Sequence, residues 1–272
     1  VWSNTGGVDI GLGSSGETVT DSSSDISFTA SNSSSVAIST QITVTPTFTN
    51  NGVSSTGTSQ TFTITVNPEP QIPDSEQKTI CSGSTFITVD PVFNDSAIIP
   101  TGTTYTWGNP LSSPSGVVTG GQSGTSQTSI VGTQLFNGTS SPATLTYTVT
   151  PTSADGCEGD DFTIIITVNP TASMNDYSDL VVCNDELTTI DFTTSNTGGT
   201  TTYVWSNTGG VDIGLGSSGE TVTDSSSDIS FTASNSSSVA ISTQITVTPT
   251  FTNNGVSCTG TSQTFTITVN PE

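Results

Sequence analysis

Residues 1–69 of this chain recur as residues 204–272 with one change: Ser55 in the first copy stands where the second has Cys258. A chain that repeats itself in this way folds as modules, because each copy must build the same structure from the same local instructions. A weaker period lies inside the longer one. Thr-Ile-Thr-Val-Asn-Pro at 63–68, Ile-Ile-Thr-Val-Asn-Pro at 165–170 and Thr-Ile-Thr-Val-Asn-Pro at 266–271 each read as a last strand, stopped by a proline that cannot continue a hydrogen-bonded ladder. Ahead of the second and third of these, four landmarks keep one order. A cysteine (Cys81, Cys183) is followed by Tyr-x-Trp (Tyr105 to Trp107, Tyr203 to Trp205), then Thr-Pro-Thr (150–152, 248–250), then a second cysteine (Cys157, Cys258). The chain therefore divides into a truncated module at 1–69 and complete modules at 70–170 and 171–272. The link Asn67-Pro68-Glu69-Pro70-Gln71-Ile72-Pro73 is rich in proline, which favours an extended, semi-rigid connection.

Within each module the apolar residues alternate with threonine, as in Thr-Phe-Thr-Ile-Thr-Val (61–66) and Thr-Leu-Thr-Tyr-Thr-Val-Thr (144–150). A period of two places one set of side chains in a core and the other in water, and β-branched threonine favours extended backbone. Strands are predicted near 85–90, 104–108, 115–119, 126–136, 143–151 and 162–169 of the middle module. No segment has helical apolar spacing. About a hundred residues with strands at this spacing predict an all-β chain of tandem antiparallel β-sandwiches.

Composition removes most chemistry. Lys78 is the only cation, there is no histidine, and the net charge is −22, while serine and threonine supply 101 of 272 residues. Such a chain has no basic face for nucleic acid and is repelled by anionic membranes. It also lacks the side chain on which most general-base schemes depend. No apolar run approaches the length of a membrane helix, and the first residues do not read as a signal segment. The cysteines and the excess of hydroxyls suit an extracellular setting. Lys78 has Asp74 and Glu76 as sequence neighbours for a surface pair of small energetic consequence.

Cys81 and Cys157 are 76 residues apart, Cys183 and Cys258 75 apart. Equal spacing in matched positions predicts one disulfide inside each complete module, against metal ligation by four cysteines that have neither CxxC spacing nor histidine. Ser55 fits this pairing, since residues 1–69 hold no counterpart of Cys183. A module without its opening strands should expose an unpaired edge, so residues 1–69 are expected to be the start of a window on a longer array or to be completed by strands of a neighbouring molecule.

Gly11-Leu12-Gly13-Ser14-Ser15-Gly16, repeated at 214–219, spells a dinucleotide-binding fingerprint, but the acidic segment after it is a poor helix, and a glycine-rich strand connection is expected. Asp155, Glu158, Asp160 and Asp161 crowd one turn, and Asp176, Asp179, Asp185 and Glu186 follow a module boundary. Either set could hold Ca²⁺ through oxygen ligands, with solvated loop charge as the other reading. Paired carboxylates running a glycoside hydrolysis would need a deep cleft that small sandwiches do not offer, and no enzyme activity is expected. Trp2, Trp107 and Trp205, with Tyr105 and Tyr203, are expected as core packing against the disulfides, with sugar stacking as the alternative. Asn32, Asn94, Asn137 and Asn235 open Asn-x-Ser/Thr sequons.

The order of cysteine, Tyr-x-Trp, Tyr147-Thr148-Val149-Thr150-Pro151-Thr152, Gly156-Cys157 and a terminal Thr-Ile-x-Val-Asn-Pro resembles the PKD-like repeats of very large Bacteroidetes surface proteins, known above all from SprB-like gliding-motility adhesins. The middle module carries the resemblance from Cys81 to Pro170, and the last is a more diverged relative. The resemblance implies a β-sandwich fold, no catalysis, type IX secretion, gliding and secretion machinery as partners, and a structural role in a long adhesive filament at the cell surface. It also makes Asp95-Ser96-Ala97 similar to the O-glycosylation acceptor of that phylum, with Ser96 as the modified residue. A carbohydrate-binding module, Ca²⁺-dependent or not, is the alternative function, with surface polysaccharide as its partner.

Overall fold

The computed structural model describes every residue except 18–25, 74, 86–96, 131 and 223–227. Among the described residues the regular elements are all β-strands, arranged as two complete sandwiches and a partial one. In the middle domain the main sheet runs Gly124–Gln127, Thr104–Trp107, Ala143–Thr152, Phe162–Asn169, Ser75–Cys81, with Leu111–Ser113 also paired to Ala143–Thr152. Ala143–Thr152 buries every second residue, so Leu145, Tyr147 and Val149 face inward and the threonines between them outward. Val118, Ile130 and Leu135, from the short pair Val118–Thr119 with Phe136–Asn137 and the chain between, close over that face and share one core with Tyr105, Trp107 and Phe162.

The last domain repeats the plan. Its main sheet is ordered Leu180–Cys183, Gln263–Asn270, Ile241–Asn253, Thr200–Asn207, Ser218–Val222, and Leu187–Ile190 pairs with Ile229–Thr232 over the same core. On the wet faces hydroxyls meet across strands, as Ser242 with Thr268 at 2.8 Å and Thr252 with Ser257 at 2.9 Å. Such cross-strand pairs let a sheet poor in large apolar residues hold its register.

One pairing in each complete domain departs from the antiparallel expectation. Ser75–Cys81 lies parallel to Phe162–Asn169, placing Cys81 opposite Asn169, and Leu180–Cys183 lies parallel to Gln263–Asn270, placing Cys183 opposite Asn270. Ser-Glu-Gln-Lys-Thr-Ile-Cys carries too little apolar alternation to read as a strand; its place at a sheet edge is set by the backbone ladder. Burial raises the pKa of Glu76 there, against the opposing pull of Lys78. Of the strand expected at 126–136, only the ends belong to strands, and the one expected at 85–90 falls mostly outside the described residues.

The proline-rich links are packed. Gln71 and Ile98 exchange backbone hydrogen bonds at 2.8 Å, and Pro68, Pro70 and Ile72 are buried. Ala172 and Met174 are buried at the second link, where Gln263 Nε2 donates to the Met174 carbonyl at 2.8 Å.

Residues 1–69 form the sheet Ser15–Gly16, Trp2–Asn4, Ile38–Val44, Gln60–Val66. The single strand Ile241–Asn253 of the last domain is broken in this copy into Ile38–Val44 and Thr47–Asn50. The outer part of Ile241–Asn253 is held by Thr200, Thr201 and Thr202, which have no counterpart in 1–69. Phe48 is accordingly 71% exposed where Phe251 is 0%, and Phe62 46% where Phe265 is 3%.

Buried tyrosines give both complete cores an alkaline limit. Burial pushes Tyr147 up to about 12. Tyr203 also reaches about 12, through burial first and then the charges of Asp228 and Asp191. A phenol with a raised folded pKa contributes stability that is whole below its unfolded value, about 10, and is lost as pH rises through the folded value. Stability should fall by about 2 kcal/mol per tyrosine between pH 10 and 12. Urea titrations across that range should show a flatter decline for Tyr147→Phe.

Candidate functional site at the domain junction

The complete domains meet end to end. Asn169, the fully buried last residue of its strand, donates through Nδ2 to the carbonyls of Asn253 at 3.1 Å and Val256 at 3.3 Å, and accepts from Asn253 Nδ2 at 2.9 Å. Asn253 and Val256 flank a two-residue turn in which Asn254 and Gly255 both have positive φ, 49° and 73°, as a tight hairpin requires. Thr197 N donates to the Ser140 carbonyl at 3.0 Å, and Asn196 Nδ2 reaches the carbonyls of Ser140 at 3.3 Å and Thr171 at 3.2 Å. Across this interface Cys81 and Cys258 form a disulfide, Cα to Cα 5.5 Å.

This bridge overturns the pairing inferred from spacing. Cys81 is not joined to Cys157, nor Cys183 to Cys258; Cys157 and Cys183 are free thiols. The reason is the parallel first strand. It carries Cys81 to the end of the sheet where Phe162–Asn169 finishes, whereas Cys157 lies five residues before that strand begins. Eight residues of strand put roughly 25 Å between the two ends, and a disulfide tolerates no more than about 7 Å between Cα atoms. Cys183 and Cys258 are separated in the same way by Gln263–Asn270. Equal spacing marked equivalent positions, not neighbours. For the same reason the tryptophans do not pack on a disulfide within their own domain.

Trp107 and Trp205 lie in the cores, each 7% exposed, with Tyr105 at 3% and Tyr203 at 0%, while Trp2 is half-buried in the partial domain. Each indole is covered by a glycine. A Cβ on Gly124 would stand 2.3 Å from Trp107, one on Gly219 2.8 Å from Trp205, and one on Gly16 2.7 Å from Trp2. The last glycine of the apparent dinucleotide fingerprint is thus a seat for tryptophan. The first, Gly214, turns the chain at φ +86° with the Thr232 carbonyl 2.2 Å from any Cβ. Gly124→Ala should cost about 1–3 kcal/mol, the usual cost of overpacking a core, and thermal unfolding of the middle domain checks it.

Three sequon asparagines lock loops. Asn137 Nδ2 donates to the carbonyls of Ser141 at 2.7 Å and Val168 at 2.8 Å while its Oδ1 accepts from Thr139, and Asn235 repeats this with Val239, Val269 and Ser237. Asn32 does so with Val36, Val66 and Ser34. The Ser or Thr of each sequon serves the loop, a role that the recurrence of Asn-x-Ser/Thr a few residues before Ile38–Val44, Ala143–Thr152 and Ile241–Asn253 could have signalled. Asn94 and the expected acceptor Ser96 lie outside the described residues.

The acidic residues do not converge. Asp155, Glu158, Asp160, Asp161, Asp176 and Asp179 are all exposed. Asp161 accepts from the Thr150 hydroxyl, Asp179 from Thr266 N at 2.8 Å, and Glu186 from Cys183 N at 2.9 Å. Among the described residues no group of three or more His, Cys, Asp or Glu is placed to hold a metal ion. Nor, among them, is any helix long and apolar enough to cross a membrane.

Residues 78–172 match the model of the PKD-like domain. The matched region lies on the middle sandwich, from within its first strand to just past its last, and the last sandwich shares the same strand order and parallel edge. No curated protein matches the chain. Among solved structures, human mucin-like protocadherin EC1-2 is 12% identical over 75% of this chain and 98% of that chain, with a TM-score of 0.28. Drosophila N-cadherin EC1-3 is 15% identical over 88% and 78%, TM-score 0.28, and the FN1-FN3 domains of chicken CNTN1 are 9% identical over 86% and 76%, TM-score 0.33. At these scores the fold rests on the strands of the chain itself.

Proposed function

We propose that the chain is a structural and adhesive segment of a long extracellular filament, in which PKD-like sandwiches are stacked end to end and clamped covalently at their junctions. The observation that carries this reading is the Cys81–Cys258 bridge across a junction with no slack link. A disulfide persists in oxidising compartments outside the cytosol, and a strongly acidic, hydroxyl-rich surface keeps a long exposed array soluble. The likeness of the sequence to gliding-adhesin repeats supports a place in surface attachment and gliding, with the filament reached by type IX secretion. Deleting residues 70–272 from the host protein should reduce attachment of cells to glass and their spreading on agar. Unchanged attachment and spreading would count against the adhesive role.

Carbohydrate binding is the second reading. A cleft of about 230 Å³ beside Trp107 and Tyr147 is lined by Gln122, Ser123, Gln127 and Thr133, an arrangement of aromatic edges, amides and hydroxyls suited to a sugar. Calorimetric titration with surface polysaccharide, repeated with chelator and with Gln122→Ala and Gln127→Ala, separates this reading from a purely mechanical one.

A further inference from the structure

The free thiols hold, at the outer ends of the two complete domains, the positions that Cys81 and Cys258 hold at the junction between them. Cys183 matches Cys81: each ends the parallel edge strand, opposite Asn270 or Asn169, and is followed by a residue whose N–H bonds that asparagine's carbonyl, Asn184 at 3.1 Å and Ser82 at 2.8 Å. Beside them stand the same loop locks, Asn235 and Asn137. Cys157 matches Cys258: each lies two residues before a glycine whose N–H bonds the proline of Thr-Pro-Thr, Gly159 to Pro151 and Gly260 to Pro249, both at 2.9 Å. The middle domain's turn is three residues shorter, but its cysteine keeps that place beside the ladder. So the end of the last domain offers what Cys81 offers, and the start of the middle domain what Cys258 offers. The chain also contains the necessary order of domains, because residues 1–69 repeat the end of the last domain and run into the middle domain through Asn67-Pro68-Glu69-Pro70.

We propose that Cys183 of a last-type domain and Cys157 of the middle-type domain that follows it form a second interdomain disulfide, so that an alternating array is cross-linked at every junction. Two thiols lose two protons and two electrons to a disulfide oxidant, such as glutathione disulfide, which is reduced to two thiols. Ser55 occupies the Cys258 position, so a last-type domain carrying it forms no Cys81–Cys258 type of bridge with a middle-type domain ahead of it, while the Cys183–Cys157 type is untouched. The inference does not depend on whether the filament adheres to anything.

The test lengthens the intact chain by a second copy of residues 70–170 after Glu272, reproducing the link at 67–70. The lengthened chain has six cysteines, four from the chain and two from the added copy. Oxidised in a glutathione buffer and then denatured, it should present two free thiols, with Cys183 linked to Cys157 of the added copy in unreduced peptides. Four free thiols with Cys183 among them, or Cys183 linked elsewhere, would overturn the proposal. Cys183→Ser in the lengthened chain should leave three free thiols, including Cys157 of the added copy; loss of that thiol to another partner would also overturn it.

Discussion

Pulled by its ends, the oxidised chain should extend about 600 Å less than the reduced one. The Cys81–Cys258 bridge spans 177 residues, and at roughly 3.5 Å per extended residue that loop holds about 600 Å of contour out of the load path. Force entering along Ser75–Cys81 crosses the sulfur bridge and leaves through Val256–Thr259 and Gln263–Asn270, so most of both complete sandwiches is bypassed. Reduction puts both under load. Single-molecule force spectroscopy in the presence and absence of reductant reads this gain directly, and the bridge predicts one locked loop. Two separate locked loops, of 76 and 75 residues, would mean that each domain closes on itself. The rupture of an adhesive segment would then be domain-by-domain extension, whereas the bridged junction keeps the pair short and stiff.

The second large effect contrasts two identical sequences. Phe251→Ala should cost about 3–5 kcal/mol, the usual loss on truncating a buried aromatic, while Phe48→Ala, in the same local sequence, should change stability by less than about 0.5 kcal/mol. Phe251 is fully buried, with its ring in the space that a Cβ on Gly199 would need, and Phe48 is 71% exposed. Local sequence is the same, so the difference comes from Thr200, Thr201 and Thr202, which pair with the strand around Phe251 and have no counterpart within residues 1–69. Denaturant titrations of the two variants measure it. A large loss from Phe48→Ala would show that the first copy buries this ring against another surface.

Strand type was legible because alternation is a local signal. Thr-Leu-Thr-Tyr-Thr-Val-Thr reports its own two faces, and the structure buries Leu145, Tyr147 and Val149 as that pattern requires. Ser75–Cys81 was illegible because its place depends on a parallel partner some ninety residues away, and its own residues are mostly polar. The cysteine pairing followed from that omission. With the first strand unplaced, matched spacing suggested a bridge within each domain, although the strand in fact carries Cys81 to the junction. Roles that depend on close approach were also hidden: Gly219 reads as part of a strand connection, and only the position of the indoles shows what it and Gly124 leave room for.

The bridge can be read chemically without pulling. With a single cationic residue in the chain, proteolysis at aspartate and glutamate is the practical route to peptides from the unreduced protein. Mass spectrometry should find the Cys81 peptide linked to the Cys258 peptide, with Cys157 and Cys183 alkylated as free thiols. Finding Cys81 linked to Cys157 and Cys183 to Cys258 would contradict the clamped junction.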